Sequence, residues 1–462
     1  MRALALLIVA VVAGRAVATP CPGAPAVRCL RAGDIDPTFG PNQWPNFIDF
    51  GNDVFTGVSY TRGAQAMVVL LDGRFLLAGD SSIDGGVDHR PTLVRFTADG
   101  DLDTAFGSGG VVRTDVGPGH AHWGGLVRQP DGKLVAAGGT TGALPYITTT
   151  LLARYDSGGN LDPTFGSGGL VIETGTNGGF EDVVLQPDGM IVAAGRAGVE
   201  FLVQRFDTNG ALDPLFGNGG SVVTTFGGSE AMGANAVTLL SDGRILVGGG
   251  VQVGTFLGCA LALMKTDGTF DPTFATGGQL KMPQVDREVC YVTALTTDAA
   301  GMILAAGQYT TARPIPKRYF NLMRLDTTGA LDLGFGKRGH ALTSIYRPLA
   351  KKASIGAYDV LVQPDGFIVE VGGLGGGDLG LARFRPDGRL DRTFASHGTE
   401  RIARGGGSYA TDALDGAKAV RLLSDGRLVV AGNLGARGSF GVGRFLGKPC
   451  TYTVATNTLT CN

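Results

Sequence analysis

Two short stretches carry side chains at spacings that occur in metal sites. In GHAHWGG, His120 and His122 would lie on one side of an extended strand, a spacing that can bind a metal ion. In DGDLD, Asp99, Asp101 and Asp103 alternate as at the start of a calcium loop. Neither stretch has further ligands at metal-site spacing. We therefore interpret the histidines as polar residues leading into a strand and the aspartates as turn residues, and we predict no metal and no cofactor.

A second set of polar residues lies seven positions before a recurring turn, which is usually Asp-Gly. These residues are Gln65, Gly124, Glu181, Asn235, Thr293, Tyr358 and Lys418. They differ from one repeat to the next, whereas their neighbours stay small or apolar, apart from Asp182 and Asp359, which directly follow two of them. If they begin the innermost strand of each repeat, they ring one mouth of a central channel, a place where ligands bind. The alternative is a set of solvated strand ends.

The turn itself separates two apolar, strand-like runs, as in VVLQPDGMIVAAG. It recurs at Asp72-Gly73, Asp131-Gly132, Asp188-Gly189, Asp242-Gly243, Ala300-Gly301, Asp365-Gly366 and Asp425-Gly426. Two apolar runs joined by Asp-Gly are a strong signal for a β-hairpin. Successive turns are 54 to 65 residues apart, so the chain is built from repeats of about 60 residues.

A decapeptide of the type NLDPTFGSGG also recurs once per repeat. Its aspartates are Asp36, Asp103, Asp162, Asp213, Asp271, Asp332 and Asp391, and a phenylalanine follows each of them three residues later. A strand-like run before it contains a basic residue: Arg95, Arg154, Arg205, Lys265, Arg324, Arg383 or Arg444. We predict that the decapeptide is a corner between the third and fourth strands. Its aspartate is expected to accept backbone N–H groups and to meet the basic residue.

Four strands per repeat and seven repeats predict an all-β fold, a seven-bladed β-propeller of four-stranded blades. The chain opens on a decapeptide and a run, NFIDFG, without the three strands that should precede them. It closes on three strands without a fourth. We therefore predict that the N-terminal run completes the C-terminal blade and closes the ring, which removes exposed sheet edges.

The termini suggest export. Residues 1–18 read as a signal peptide, with Arg2, an apolar stretch and Ala16-Val17-Ala18 as the cleavage site, although an uncleaved anchor is the alternative. We divide the rest into a cysteine-containing segment at 19–32, the propeller at 33–446 and a cysteine-containing tail at 447–462.

The six cysteines predict disulfides in an oxidising compartment; they are Cys21, Cys29, Cys259, Cys290, Cys450 and Cys461. We pair Cys259 with Cys290 across neighbouring blades. The terminal cysteines permit either local pairs, 21–29 and 450–461, or a bond between the two termini.

The combination L-x-P-D-G-x-I-x-x-A-G, A-R-Y and G-x-L-D-P-T-F-G-x-G-G resembles the delta-60 repeat family of bacterial β-propeller proteins. The resemblance extends from Gly33 to Phe445 and implies a propeller in an exported or surface-associated protein, without catalytic residues to transfer. The fourth repeat departs from the pattern, with Lys265 in place of arginine and a turn two residues shorter, and the Ala300 turn lacks the aspartate.

A formal charge of −2 excludes the positive field that non-specific nucleic-acid binding requires. No later segment is apolar enough to cross a membrane, and no hydrolase or nucleotide-binding signature occurs in the expected context. We expect a monomeric, secreted or envelope-associated protein that holds a glycan, a peptide or an envelope partner at the channel mouth or on loops. A purely structural envelope module and an extracellular hydrolase or lyase are the alternatives.

Overall fold

The computed structural model describes residues 20–21, 24–40, 46–48, 63–82, 89–117, 119–141, 148–227, 231–253, 256–282, 289–311, 317–345, 356–374, 378–402, 416–433, 440–453, 456 and 458–461. Within these residues every extended element is a β-strand and no α-helix occurs. The all-β prediction is confirmed at this level. The predicted signal peptide at 1–18 lies outside the described residues. Over the described part of the chain, no helix is long and apolar enough to span a bilayer.

The strands are β1 (Pro20–Cys21), β2 (Ala24–Leu30), β3 (Asn46–Ile48), β4 (Gly63–Val69), β5 (Phe75–Ser82), β6 (His89–Phe96), β7 (Val111–Arg113), β8 (His120–Arg128), β9 (Leu134–Thr141), β10 (Thr148–Tyr155), β11 (Leu170–Glu173), β12 (Gly178–Leu185), β13 (Ile191–Ala197), β14 (Glu200–Phe206), β15 (Ser221–Thr224), β16 (Ala231–Leu239), β17 (Ile245–Val253), β18 (Phe256–Met264), β19 (Gln279–Lys281), β20 (Val289–Thr297), β21 (Ile303–Thr310), β22 (Arg318–Leu325), β23 (His340–Thr343), β24 (Gly356–Val362), β25 (Ile368–Gly373), β26 (Leu379–Phe384), β27 (Thr399–Ile402), β28 (Gly416–Leu422), β29 (Leu428–Asn433), β30 (Phe440–Phe445), β31 (Cys450–Thr453) and β32 (Thr458–Cys461).

The repeats form antiparallel groups of four strands in which each strand pairs with its sequence neighbour. These groups are β4 to β7, β8 to β11, β12 to β15, β16 to β19, β20 to β23 and β24 to β27. A single parallel bridge between His89 and His120 links the first two groups into one eight-stranded sheet. The turn predicted from Asp-Gly joins the first two strands of each group, and its glycine has a positive φ, as at Gly189 (φ 89°).

The last group, β28 to β30, takes its fourth strand from the N-terminus, because β3 pairs antiparallel with β30. Side chains from the two ends of the repeat region also share one apolar cluster, in which Phe39 and Ala64 pack with Ala419 and Val442. The contacts therefore bring residues about 400 positions apart in sequence into one core, which buries apolar surface that either end alone would expose.

The decapeptide forms the predicted corner. The aspartate accepts a backbone N–H through one carboxylate oxygen and an arginine through the other; in Asp391 these donors are the Thr393 amide at 3.1 Å and the Arg383 Nε at 2.8 Å. The arginine also lies over the decapeptide phenylalanine, with the Arg383 Cζ 4.7 Å from the centroid of Phe394. Its Nη1 donates to a carbonyl further along the chain, here the Gly447 oxygen at 2.6 Å. Each corner therefore joins its own sheet to the next.

The fourth repeat shows where the prediction was wrong. Lys265 is not the partner of Asp271, because Leu263 occupies the position of the arginine and Lys265 lies two residues beyond it. The decapeptide turn is therefore not shorter than the others. Instead, Arg244 from the hairpin turn donates to Asp271 at 2.7 Å. Hydrogen bonds from Thr273 and then Arg244 lower the pKa of Asp271 to about 2.

The phenylalanine of each corner packs beneath a turn glycine of the following sheet. A Cβ added to Gly159 would lie 2.8 Å from the ring of Phe106, and one added to Gly100 would lie 2.5 Å from Phe39. Both glycines also have a positive φ. The same contact recurs between Gly210 and Phe165, Gly268 and Phe216, Gly329 and Phe274, Gly388 and Phe335, and Gly33 and Phe394. A side chain at these glycines would force adjacent sheets apart.

The two cysteine-containing terminal segments pair with each other. Strands β1, β2, β31 and β32 form a separate four-stranded sheet, in which Leu30 is opposite Cys450. The two segments were expected to lie close together if their cysteines were bonded to each other, but strand pairing between them was not predicted. Residue 456 is a single 3₁₀ position beside this sheet.

The disulfides follow the local option at the C-terminus. Cys450 is bonded to Cys461, so the alternative that joins either of them to an N-terminal cysteine is wrong. Cys29 is also disulfide-bonded, and the Cys21 side chain lies outside the described ones. Cys259 is bonded to Cys290, which confirms the predicted link between neighbouring repeats. Cys259 lies within strand β18 and Cys290 within strand β20.

Candidate functional site

The first strand of every group contains a β-bulge at the same place. Strand pairing skips one residue there, as between Phe180 and Asp182, where Glu181 has no partner on β13. The skipped residues are Gln65, Gly124, Glu181, Asn235, Thr293, Tyr358 and Lys418. These are the residues found by counting back from the hairpin turn. A bulge changes the direction of its side chain, so the variable residues share one backbone geometry that differs from the rest of the strand. We call them the bulge residues.

A glycine on the second strand makes each bulge possible. Gly195 lies opposite the residue before the bulge, and a Cβ added to it would lie 2.0 Å from the carbonyl oxygen of Gly179. No side chain fits at that distance. The corresponding glycines are Gly79, Gly138, Gly249, Gly307, Gly372 and Gly432, and an added Cβ would lie 1.8 to 2.2 Å from a carbonyl oxygen at each. The apolar run of the second strand therefore ends in a glycine, as in LLAG and VAAG, because of the bulge. This recurring glycine was the sequence signal for the bulge, and it was not recognised as one.

Two bulge residues connect adjacent first strands. Asn235 donates from its Nδ2 to the carbonyl oxygen of Val292 at 2.9 Å. Thr293 donates from its Oγ1 to the carbonyl oxygen of Ala357 at 2.7 Å. Both bonds satisfy a carbonyl next to the bulge in the following sheet, where the ladder is interrupted. These side chains therefore stabilise the packing of the sheets as well as line the site.

The two aspartates that follow bulge residues also connect adjacent first strands. One carboxylate oxygen accepts an amide of its own strand, and the other accepts an amide of the following sheet. The Asp182 carboxylate accepts the amides of Val183 at 2.8 Å and Val237 at 2.9 Å. The Asp359 carboxylate accepts the amides of Val360 at 2.9 Å and Val420 at 2.8 Å. The remaining first strands have only alanine or glycine at this position: Ala66, Gly125, Ala236, Ala294 and Ala419. Asp182 and Asp359 are therefore acidic groups within an otherwise small-residue lining.

The charges of residues on two other sheets affect the pKa of Asp182. Burial raises the pKa of Asp182 to about 6, while its two backbone hydrogen bonds oppose that shift. The charge of Asp359 raises it further, and the charge of Arg421 lowers it. Arg421 in turn donates to Asp359 at 2.6 Å. Asp182 belongs to β12, whereas the other two lie on β24 and β28, so charged groups of three sheets lie within electrostatic range of one another.

Other bulge residues also contact groups from neighbouring sheets. The Lys418 Nζ lies 3.3 Å from the ring centroid of Tyr358, a cation–π contact between consecutive repeats. Burial raises the pKa of Tyr291, a hydrogen bond to Asn235 opposes the shift, and the charge of Glu181 adds to it. Contacts therefore join bulge residues of neighbouring repeats.

The remaining two bulge residues, Gln65 and Gly124, are uncharged. Gln65 donates to the carbonyl oxygen of Ala64 at 3.2 Å, within its own strand. Gly124 has no side chain, and a Cβ there would lie 2.7 Å from the Cα of Glu181. The first strands of the second and third groups are therefore in direct backbone contact. The most polar of the first strands is β24, in which Tyr358 and Asp359 are adjacent.

The weaker metal candidates are not brought together. His120 packs edge-on against His89, with ring centroids 4.6 Å apart, and His89 Nδ1 is 2.9 Å from the Asp80 carboxylate. His122 pairs with Gly139 on β9. Asp103 is the corner aspartate bound by Arg95 and Arg74, whereas Asp99 and Asp101 lie in the turn before it. No group of three or more His, Cys, Asp or Glu side chains among the described residues is placed to hold a metal ion.

Comparison with known proteins identifies the repeats. The family model described as a domain of unknown function (DUF5122) beta-propeller matches residues 71–106, 129–165, 186–216, 240–274 and 363–394. Each match runs from a hairpin turn to a decapeptide. These segments are similar to the repeats of a β-propeller family. No curated protein matches the chain.

Several solved structures are similar at low sequence identity. A protein from Lactobacillus plantarum is 14% identical, with a TM-score of 0.48, and the match covers 84% of this chain and 95% of that one. The polysaccharide lyase Uly1 is 10% identical, with a TM-score of 0.47 and coverage of 87% and 94%. The α-L-arabinanase of Penicillium chrysogenum is 13% identical, with a TM-score of 0.45 and coverage of 70% and 93%.

Proposed function

We propose that the chain is an exported seven-bladed propeller that binds a polar ligand, a glycan or a peptide, at the bulge residues. The N-terminal strand β3 completes the last blade in this proposal, and the signal peptide is removed after Ala18. The pairing of β3 with β30 and the Arg444 hydrogen bond to the Ala98 carbonyl at 2.8 Å support a closed ring. The disulfides support an oxidising compartment.

The bulges are the observation that carries the binding proposal. The backbone bulge recurs in every repeat, whereas the residue at the bulge is different in each one. A residue needed only for folding would recur, as the corner aspartates do. Varied polar groups on a rigid, repeated scaffold are typical of a ligand site. The match of the five repeats to a propeller family also supports our assignment to the delta-60 family.

The binding proposal can be tested by thermal unfolding of the disulfide-bonded chain with a panel of glycans and peptides. A ligand that binds the folded state raises the melting temperature, and the rise grows with the logarithm of ligand concentration over Kd. We expect Lys418→Gln to reduce that rise and Lys448→Gln, at an exposed position outside the bulges, to leave it unchanged. No rise with any ligand would favour the purely structural envelope module instead.

A hydrolase or lyase is the second candidate, and the raised pKa of Asp182 is the observation that favours it. A carboxylic acid with a pKa of about 6 can exchange a proton near neutral pH, as general acid–base catalysis requires. Asp359, held by Arg421, is the second carboxylate available. Turnover of an extracellular polymer or lactone should then depend on a group near pH 6. It should be lost in Asp182→Asn and kept in Asp188→Asn, which alters only a hairpin turn.

A further inference from the structure

A groove outside the bulge site is lined by basic residues from two consecutive repeats. Its volume is about 450 Å³, and it lies between the decapeptide that follows β22 and the corner that follows β26. The basic lining residues are Lys337, Arg385, Arg389 and Arg392, with His340 beside them. None of the lining residues is acidic. In a chain whose formal charge is −2, this is a local concentration of positive charge.

These basic residues interrupt the repeat. Where Lys337 stands, other decapeptides have Ser108, Ser167 or Asn218, and where Arg392 stands, the first repeat has Thr104. Arg338, next to Lys337, has a positive φ of 56° at a position that is glycine in most repeats. Arg338 is therefore a further cation in this decapeptide, at a position where the backbone favours glycine.

The same residues have few partners in the protein. Arg383 and the other corner arginines hold carboxylates and carbonyls, but Lys337, Arg385 and Arg392 make no side-chain hydrogen bond or ion pair with the described residues. Arg389 has one exposed contact, with Asp387 at 3.6 Å. Like charges without counter-charges repel one another, so an anionic ligand in the groove would relieve that repulsion.

Apolar residues also line the groove: Ala341, Leu342 and Leu390. Leu342 is 41% exposed. Cations beside apolar side chains match a ligand that has separate anionic groups and an apolar face between them. Sugar rings that carry carboxylates have this form, because the C–H face of the ring packs on apolar side chains while the carboxylates pair with arginine.

We propose that this groove binds an acidic polysaccharide. The site is distinct from the bulge residues, and its ligand does not depend on the proposal made for them. The arginines would pair with carboxylates of successive sugars, Lys337 would contribute a further charge at the end of the groove, and the leucines would contact the sugar rings.

The test is calorimetric titration of the full disulfide-bonded chain with alginate oligomers, a polyuronate, at low and moderate salt. We expect binding that weakens at least severalfold between about 50 and about 200 mM salt, and no binding of neutral dextran. The variant Lys337→Ser with Arg392→Thr should lose about tenfold or more in affinity, since two charge-assisted contacts are removed. Both replacements occur at the same positions in other repeats, so folding should be unaffected, which thermal unfolding checks.

The matched control removes two positive charges elsewhere, at the exposed Lys265 and Lys317, as Lys265→Thr with Lys317→Ser. It should retain the affinity of the parent chain. An equal loss in both variants would show that only net charge matters and would overturn the proposal. Absence of alginate binding, or tighter binding of poly-glutamate than of alginate, would also overturn it, the latter in favour of an acidic peptide.

Discussion

The decapeptide corners and the bulges each occur once per repeat. The corners repeat their side chains, whereas the bulges repeat only their backbone geometry. At the corners the side chains recur with their contacts, as in the pairs of Arg95 with Asp103 and Arg154 with Asp162. At the bulges the backbone recurs while the side chain changes, from Glu181 to Lys418. A repeated side chain indicates a requirement of the fold. A repeated backbone that presents different side chains fits the ligand site that we propose.

The largest effect should come from breaking the most buried corner. Asp36 and Arg444 are 0% and 3% exposed, and Asp36 also accepts Arg427 at 2.8 Å. Asp36→Ala leaves the buried Arg444 without its carboxylate, whereas Arg427 keeps Asp425, and the free energy of unfolding should fall by about 3–5 kcal/mol. Chemical denaturation measures the change.

The matched variant is Asp332→Ala, whose carboxylate is 25% exposed. Because water can solvate the arginine released there, we expect a loss of only about 1 kcal/mol. Equal losses in the two variants would contradict the idea that burial sets the strength of the corner. Hydrogen bonds and arginines lower the pKa of Asp36 against the effect of burial. The stability of the parent chain due to this pair should therefore persist at neutral pH and be lost as the pH falls below about 4.

The next effect concerns the glycine that permits the bulge. In Gly195→Ala the new Cβ would meet the Gly179 carbonyl at 2.0 Å, so the first strand must shift or the bulge must be lost. We expect a destabilisation of about 1–3 kcal/mol in thermal or chemical unfolding. The control is Gly334→Ala, where the first repeat already has Ala105 and the nearest atom is a side-chain oxygen at 3.3 Å. A Gly195→Ala protein as stable as the control would refute the steric role of this glycine.

A third variant tests a departure from the repeat that lies in the core. Glu370 on β25 is 0% exposed, and neither carboxylate oxygen has a hydrogen-bond partner among the described residues. Burial raises the pKa of Glu370 well above its usual value. The folded protein therefore keeps a proton that the unfolded chain releases, and stability should decline as the pH rises above about 4.5.

Glu370→Val places there the residue found at Val247 and Val430. It should raise the free energy of unfolding at pH 7 by about 1–3 kcal/mol and flatten its pH dependence. Glu370→Gln should flatten the pH dependence too, but with less gain, since a buried amide would still lack partners. If Glu370→Val were destabilising, the carboxyl would have a structural role that its surroundings do not show.

The comparison also shows what can be read from one sequence. Hairpin turns and decapeptides were found because each uses a local residue preference, Asp-Gly or Asp-x-x-Phe-Gly, that does not depend on distant contacts. The bulge residues were located by counting, but the bulge was not predicted, since it depends on a glycine and a carbonyl from different strands. The ion pair of Arg244 with Asp271 was missed for a similar reason. A cation can reach this aspartate from the hairpin turn as well as from the strand before the decapeptide.

The smallest effect on stability should come from exchanging one bulge residue for another. Gln65→Thr places at the first bulge the residue found at Thr293, and Gln65 is only partly buried. The backbone geometry is already set by Gly79, so the free energy of unfolding should change by no more than about 0.5 kcal/mol. The melting-temperature rise produced by a bulge-site ligand should nevertheless change, because the lining has changed. A loss of stability as large as that in Gly195→Ala would instead make the side chain part of the fold, and the distinction between corners and bulges would no longer hold.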